Sequence, residues 1–578
     1  MKMKTRLQFA TTLLTMTLLG SPVLAEGFFE KLFGSDSSDT SSFKELISHV
    51  PADTSFLFTN KKAIPEAVMD FHLKRSQKLF KLVSEQSDKS KTDDTKNSPE
   101  AFFSAFFEDL SDKFANKKLD ETGLSLSSNY IIYGIDMTPV MRLSITDKEK
   151  LMATLKRAEE KSGYKLDLSK CGDFDCMLDN TNKDRSMALV LLKNQLVASV
   201  FAVDKKEQMI KHLTGKIPAK DAYKAESWET FLKDNFYTGH GEGFIDLQKL
   251  YKKGSPLIVS ELQKDKRLSD DELKNCMGVA ADHINNMPKV IFGTKGLNAQ
   301  KMDYEFVLTT SAGVSEVLQG IANKANIAQR VDNAIVDFGL NINFIKLREA
   351  LTQYSDFLIK SAETHKCKNI KAADIRKGMG GMMMAMNMGL TQFKSLYVAV
   401  NDVELDSRMQ PKKIDAYLSI GADDPAGLLG MVSMLSPALM GFKVPADGTV
   451  VKLPEGAIPT KGLPVPPISI SRTENTLNLM VGNDKPALKK YLSGVPAIMI
   501  MGINSKRYYE KLSSIMKPMA GKSSDQTIIN MMSSIGDTAG NVQQEITADK
   551  RGLAFNYHIQ YEDVKKKVSK HLNNLPLG

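Results

Sequence analysis

Beyond residue 25 the chain has no uninterrupted apolar run that could cross a bilayer, which takes about 20 residues in a helix. Charges break every shorter run, so the mature protein is expected to be soluble and to have no membrane-spanning segment. Charge of one sign is also scarce: the formal net charge is +9 over 578 residues. So thin an excess argues against the basic stripe of a nucleic-acid groove. Catalytic signatures are missing. The chain has no G-x-S-x-G elbow, no P-loop, no G-x-G-x-x-G and no H-E-x-x-H. S-x-x-K occurs at Ser41 with Lys44 and at Ser162 with Lys165, but without the S-D-N or K-T-G that would give it meaning. Cysteine is rare, with only Cys171, Cys176, Cys276 and Cys367 present.

What is present begins with a secretory leader. Lys2, Lys4 and Arg6 precede an apolar run over residues 7–20, and Ser21-Pro22-Val23-Leu24-Ala25 offers the small residues a signal peptidase reads. Cleavage is expected after Ala25, leaving a periplasmic protein. The leader carries three basic residues and no acid, so its loss lowers the net charge from +9 to +6. In an oxidising compartment an even cysteine count reads as two disulfides. Counting leaves three pairings open, and proximity favours Cys171 with Cys176, which leaves Cys276 for Cys367.

Residues 26–42 form a linker with a short apolar patch at 27–34, and residues 563–578 form a tail. Between them the order of predicted elements runs through twice, over a first half at 43–310 and a second at 328–562. The first half reads as a strand at 55–60, a helix at 65–83, a polar loop at 84–98, a helix at 101–114, a hairpin at 130–146 and a helix at 148–161. A second hairpin, 186–203, and a helix at 205–213 follow, and strands close the half. The second half repeats this with a strand at 333–341, helices at 344–362 and 374–393, and hairpins at 396–420 and 468–481. It adds helices at 425–435 and 485–492, a loop at 444–467, and closing strands. The expected class is therefore α+β with an internal duplication, each half an antiparallel sheet with helices packed on one face.

Three stretches invite chemistry. Residues 378–389, GMGGMMMAMNMG, concentrate methionine, a soft copper ligand and a deformable apolar surface. The matching place in the first half carries Phe102, Phe103 and Phe106, and a position that takes Phe or Met behaves as core. Should a ligand bind there, Phe102, Phe103, Phe106, Met383 and Met386 would form its apolar surface. Asp173, Asp175, Asp179 and Asp184 crowd the stretch after Cys171, but Arg185 stands where a calcium loop needs Gly, so a polar loop pinned by the disulfide is expected. Residues 239–243, GHGEG, place His240 beside Glu242, too few groups for a site, and read as a glycine-rich turn into a strand. No cofactor or metal is expected.

Residues 49–60, HVPADTSFLFTN, followed by Ile64-Pro65-Glu66, resemble the mature start of a family of uncharacterised exported bacterial proteins. The resemblance extends to Cys276 with residues 288–293, PKVIFG, and to Cys367. It implies a periplasmic address and a domain of unknown function, and supplies no catalytic residue. The leading expectation is thus a non-catalytic binding or envelope scaffold protein with an unknown protein partner. A carrier of an apolar or lipid ligand is the alternative, and an enzyme whose site is assembled from distant residues is the third.

Overall fold

The computed structural model describes residues 40–62, 65, 68 and 99–561, apart from internal segments of which 458–465 and 517–528 are the longest. The leader, the apolar patch, nearly all of the helix expected at 65–83, the loop at 84–98 and the tail lie outside the described residues. The fold is mixed α+β and its sheets are antiparallel. The chain divides into two compact units, Met1–Gly254 with Ile291–Met302, and Ser255–Val290 with Asp303–Gly578. Ser255–Val290, expected in the first half, groups with the second unit.

The first unit begins with helix α1 (Thr40–Ile47), strand β1 (Phe56–Asn60) and helix α2 (Pro99–Ala115). The hairpin β2 (Tyr130–Ile135) and β3 (Thr138–Ser144) leads to α3 (Lys148–Ser162), whose Asp147 side chain caps two N–H groups of its first turn. β4 (Asp167–Cys171) and β5 (Phe174–Asp179) precede β6 (Arg185–Leu191), β7 (Gln195–Ala202), α4 (Lys206–Leu213), α5 (Ala225–Asn235) and β8 (Glu242–Asp246). The strands pair in the order β8-β1-β2-β3-β7-β6-β5-β4.

Helices cover both faces of this sheet, not one. Leu143, Leu189, Leu191 and Leu196 point to one face and pack with Phe102, Phe106 and Leu110 of α2 and Leu151 and Leu155 of α3. Arg142, one residue from Leu143, must point to the other face. It is buried there, with Nε donating to Tyr133 Oη at 3.1 Å, Nη1 to Gln195 Oε1 at 3.1 Å, and Nη2 to the carbonyls of His212 and Leu213 at the end of α4. Gln195 in turn donates to Glu45 of α1 at 2.7 Å, so one guanidinium ties two helices to the sheet. The charge has a visible effect: burial first, and Arg142 second, hold His49 down at about 4.

The aspartate-rich stretch is a hairpin and not a loop. Cys171 and Cys176 close β4 against β5 across 5.7 Å between Cα atoms, and backbone pairing to β6 extends the sheet. The chain enters the second unit within α6 (Leu247–Lys264), runs through α7 (Asp270–Asn286), and crosses back and out again in β9 (Lys289–Asn298) and β10 (Lys301–Thr309).

The second unit continues with α8 (Ala312–Ile321), β11 (Gln329–Val331), β12 (Val336–Asn341), α9 (Phe344–Thr364), α10 (Ala372–Asn387), β13 (Phe393–Leu405), β14 (Pro411–Ala422) and α11 (Pro425–Leu435). Then come β15 (Val451–Lys452), β16 (Ile468–Arg472), β17 (Thr476–Val481), β18 (Leu488–Lys490), β19 (Met499–Ile503), α12 (Ser505–Met516), β20 (Asn541–Asp549) and β21 (Gly552–Gln560). Its main sheet runs β21-β20-β19-β12-β13-β14-β17-β16-β15. From β19 to β15 this order follows, strand for strand, that of the first unit from β8 to β5. The helix expected at 374–393 stops at Asn387, and Phe393 already pairs in β13. The helix expected at 485–492 is absent at Leu488–Lys490, which instead pairs with Gln329–Val331. A short helical stretch has too little stability of its own to resist such a partner.

Cys276 and Cys367 are bonded within the second unit, where they pin α7 to the turn after α9 beside Val279 and Ala362. Arg330 of β11 reaches Asp337 of β12 with two parallel bonds, Nε to Oδ2 at 2.9 Å and Nη2 to Oδ1 at 2.5 Å. Tyr397 Oη also donates to Asp337 Oδ2, at 3.0 Å, and accepts from the Val331 N–H. Breaking a buried pair of this kind leaves an unpaired charge. Asp337→Ala is therefore expected to destabilise the second unit by about 3–5 kcal/mol. A urea-unfolding midpoint equal to that of the wild type would contradict this.

Candidate functional site

Strand alternation gives the second unit's sheet two faces of opposite character. Asp337, Tyr397, Tyr417, Ser419, Asn478 and Glu545 share one face. It is the interior one: Asp337 is 3% exposed and Tyr397 1%, and Asn478 binds Tyr417, Ser419 and Ser471 through its side chain. Burial and the Asp337 carboxylate push the Tyr397 phenol far above its usual range. Gly502 lies beneath the ion pair because any Cβ there would overlap Asp337 and Arg330.

The other face is apolar. Across β14, β13, β12, β19 and β20 one row reads Leu418, Val398, Phe338, Met501, Gln544. The rows on either side read Ile420, Leu396, Leu340, Met499, Ile546 and Ala416, Val400, Val336, Ile503, Val542. None of these positions is charged. Yet at the centre Phe338 is 37% exposed, Val398 38% and Met501 38%. In an ordinary sheet such residues would be covered and the polar ones solvated. Toward β16 and β17, Leu429 of α11 and Val444 pack on Ile470 and Leu477. Of the helices that join β12 to β13, α10 packs on α9, and α9 on α7 and α8.

The sequence had pointed to other residues for such a surface. Phe102 and Phe106 are core residues of the first unit and present nothing outward. The Phe103 and Met386 side chains lie outside the described residues, as does part of the methionine run, while Met383 is half-buried and Met384 is 69% exposed on α10. The strands carry the open surface instead, and nothing in one strand's alternation says whether a helix covers it.

The remaining candidates resolve into structural roles. Asp175 is held near 2 by hydrogen bonds from Lys148 and Lys170, and Asp173 pairs with Lys216 at 3.8 Å. Among the described residues no three His, Cys, Asp or Glu groups converge as metal ligands. Ser361, Asp282 and His365 do meet, but Ser361 Oγ donates to Asp282 at 2.6 Å and not to the imidazole, which also faces Asp282. A nucleophilic serine needs the opposite arrangement, with its proton directed at the base.

The GHGEG turn holds more than a turn. His240 faces the Lys62 carbonyl through Nδ1 at 3.2 Å, whereas Glu242 is fully buried and accepts the Gly239 N–H at 2.6 Å. Its Oε2 meets no donor or acceptor of the chain, nor does Oγ1 of Thr59, its cross-strand neighbour. Burial outweighs the turn's N–H groups and raises the Glu242 carboxyl to about 8, so it is largely neutral at pH 7.

No protein-family model matches the chain, and no curated protein or solved structure matches it.

Because Glu242 binds its proton more tightly folded than unfolded, its contribution to stability falls as pH rises from about 4.5 to about 8 and is level outside that window. Glu242→Gln removes the titration. Its stability relative to the wild type is expected to rise by a few kcal/mol between pH 4.5 and 8, following about 1.4 kcal/mol per pKa unit. Parallel stability curves for the two proteins over that range would show that the carboxyl does not titrate there.

Proposed function

We propose that this chain is an exported, periplasmic binding protein without catalytic activity, and that its second unit holds an apolar ligand of the acyl-chain class on the open sheet face. The single observation that supports this reading is the inverted sheet, with its polar face buried and its apolar centre exposed at Phe338, Val398 and Met501. Exposed contiguous apolar surface costs solvation free energy and marks an interaction site.

The chemistry of the face selects its occupant. Backbone groups in the middle of a sheet are already paired, so a partner strand has nothing to join. A protein interface carries about one hydrogen bond per 100–200 Å2, and the three rows offer one polar side chain, Gln544. An acyl chain asks for no more than apolar contact. At about 0.8 kcal/mol per buried methylene, ten methylenes supply about 8 kcal/mol, which is micromolar affinity.

The export part of the reading draws on the leader at residues 1–25, on the two disulfides, and on the described helices, none of which is long and apolar enough to cross a membrane. The shared strand order of the two units supports their origin by duplication of one α+β unit. The resemblance of residues 49–60 to the mature start of uncharacterised exported bacterial proteins fits the same address.

Native mass spectrometry of protein recovered gently from the periplasm should show a mass excess that organic solvent extracts. Phe338→Asp should lose that excess and bind a fluorophore-labelled C16 fatty acid at least tenfold more weakly, with the fold retained by circular dichroism. Wild-type protein that carries no ligand and does not bind the labelled fatty acid would overturn the proposal and favour an envelope scaffold.

A further inference from the structure

We infer that α10, the methionine-rich helix, is the open face's own cover, and that it and the apolar ligand compete for that face; the ligand half of this inference rests on the function proposed above. Three observations converge. First, α10 belongs to the connection from β12 to β13, the strands that carry Phe338 and Val398. In the first unit the connection from β1 to β2 contains α2, and α2 does lie on the corresponding sheet face, with Phe102, Phe106 and Leu110 in the core there. Second, α10 packs on α9 and leaves Met384 69% exposed.

Third, the helix is tethered at both ends. Its N-terminal side is anchored at Cys367 by the bond to Cys276, and Asn387 is followed within six residues by Phe393 of β13. A residue spans at most about 3.6 Å, so that link keeps the end of α10 within about 22 Å of the face. Gly378, Gly380 and Gly381 have no other atom near the place a Cβ would fill, so nothing packs against the helix at those three positions. Methionine side chains adapt to surfaces of varied shape, which suits a cover that must seat on a bare sheet and yield to a ligand.

The test uses the full chain with an added cysteine pair, Met383→Cys with Val398→Cys, and a second pair, Met384→Cys with Met501→Cys, in case one variant fails to fold. In delipidated protein, mild oxidation should form a third disulfide, read by intact mass after alkylation. Saturating hexadecanoic acid should slow its formation at least tenfold. A control pair, Met384→Cys with Leu488→Cys, should not react. If neither test pair closes in delipidated protein while wild-type protein still binds the fatty acid, the cover is refuted and the binding function stands. If a third disulfide forms but at the same rate with the fatty acid, and wild-type protein binds none, the cover stands and the proposed ligand falls.

Discussion

The bidentate pair between Arg330 and Asp337 decides which side of the second unit's sheet is its interior. Side chains alternate along a strand, so burying Asp337 on one face obliges Phe338 to point to the other. Tyr397, received from the neighbouring strand, and the β11 and β18 pair that brings in Arg330 complete a polar interior around the carboxylate. Slipping β12 by one residue would place Phe338 under Arg330 and the carboxylate among Val398 and Met501. Such ion pairs add little net stability over a hydrophobic substitute, but they penalise the wrong register heavily.

The first unit uses a lone buried cation for a related purpose. Arg142 bonds a phenol, an amide and two carbonyls, and a carboxylate, Glu45, enters only through Gln195. Its arms hold α4 and, through Gln195, α1 to one face of that sheet, while α2 and α3 cover the other. The second sheet has no counterpart on its apolar face. With the same strand order, one unit buries its apolar surface with its own helices and the other leaves Phe338, Val398 and Met501 at the centre of that surface exposed.

The two disulfides serve different scales. Cys171 and Cys176 tighten a hairpin five residues apart, whereas Cys276 and Cys367 close a separation of 91 residues. In the chain-entropy account the longer loop contributes more, about 4–5 kcal/mol against about 2. The longer bond also fixes the root of the α9 and α10 pair, beside a small cluster around Val279 and Ala362 and the bonds of Ser361 and His365 to Asp282.

Much of the local architecture was legible in the sequence. Alternating runs such as 196–203 and 553–560 gave strands, the capped periodic stretch after Asp147 gave a helix, and cysteine spacing gave both bonds. Readings failed where a distant partner outweighed a local preference, as at Leu488–Lys490, or where acids suggested a loop, as at Phe174–Asp179. The sequence by itself determined which residues of each strand share a face, because that depends on a period of two and on nothing remote. Whether a face is covered was decided by tertiary structure alone. Burial is a property of what lies opposite, and neither the exposure of Phe338 nor the enclosure of Glu242 is written in the residues beside them.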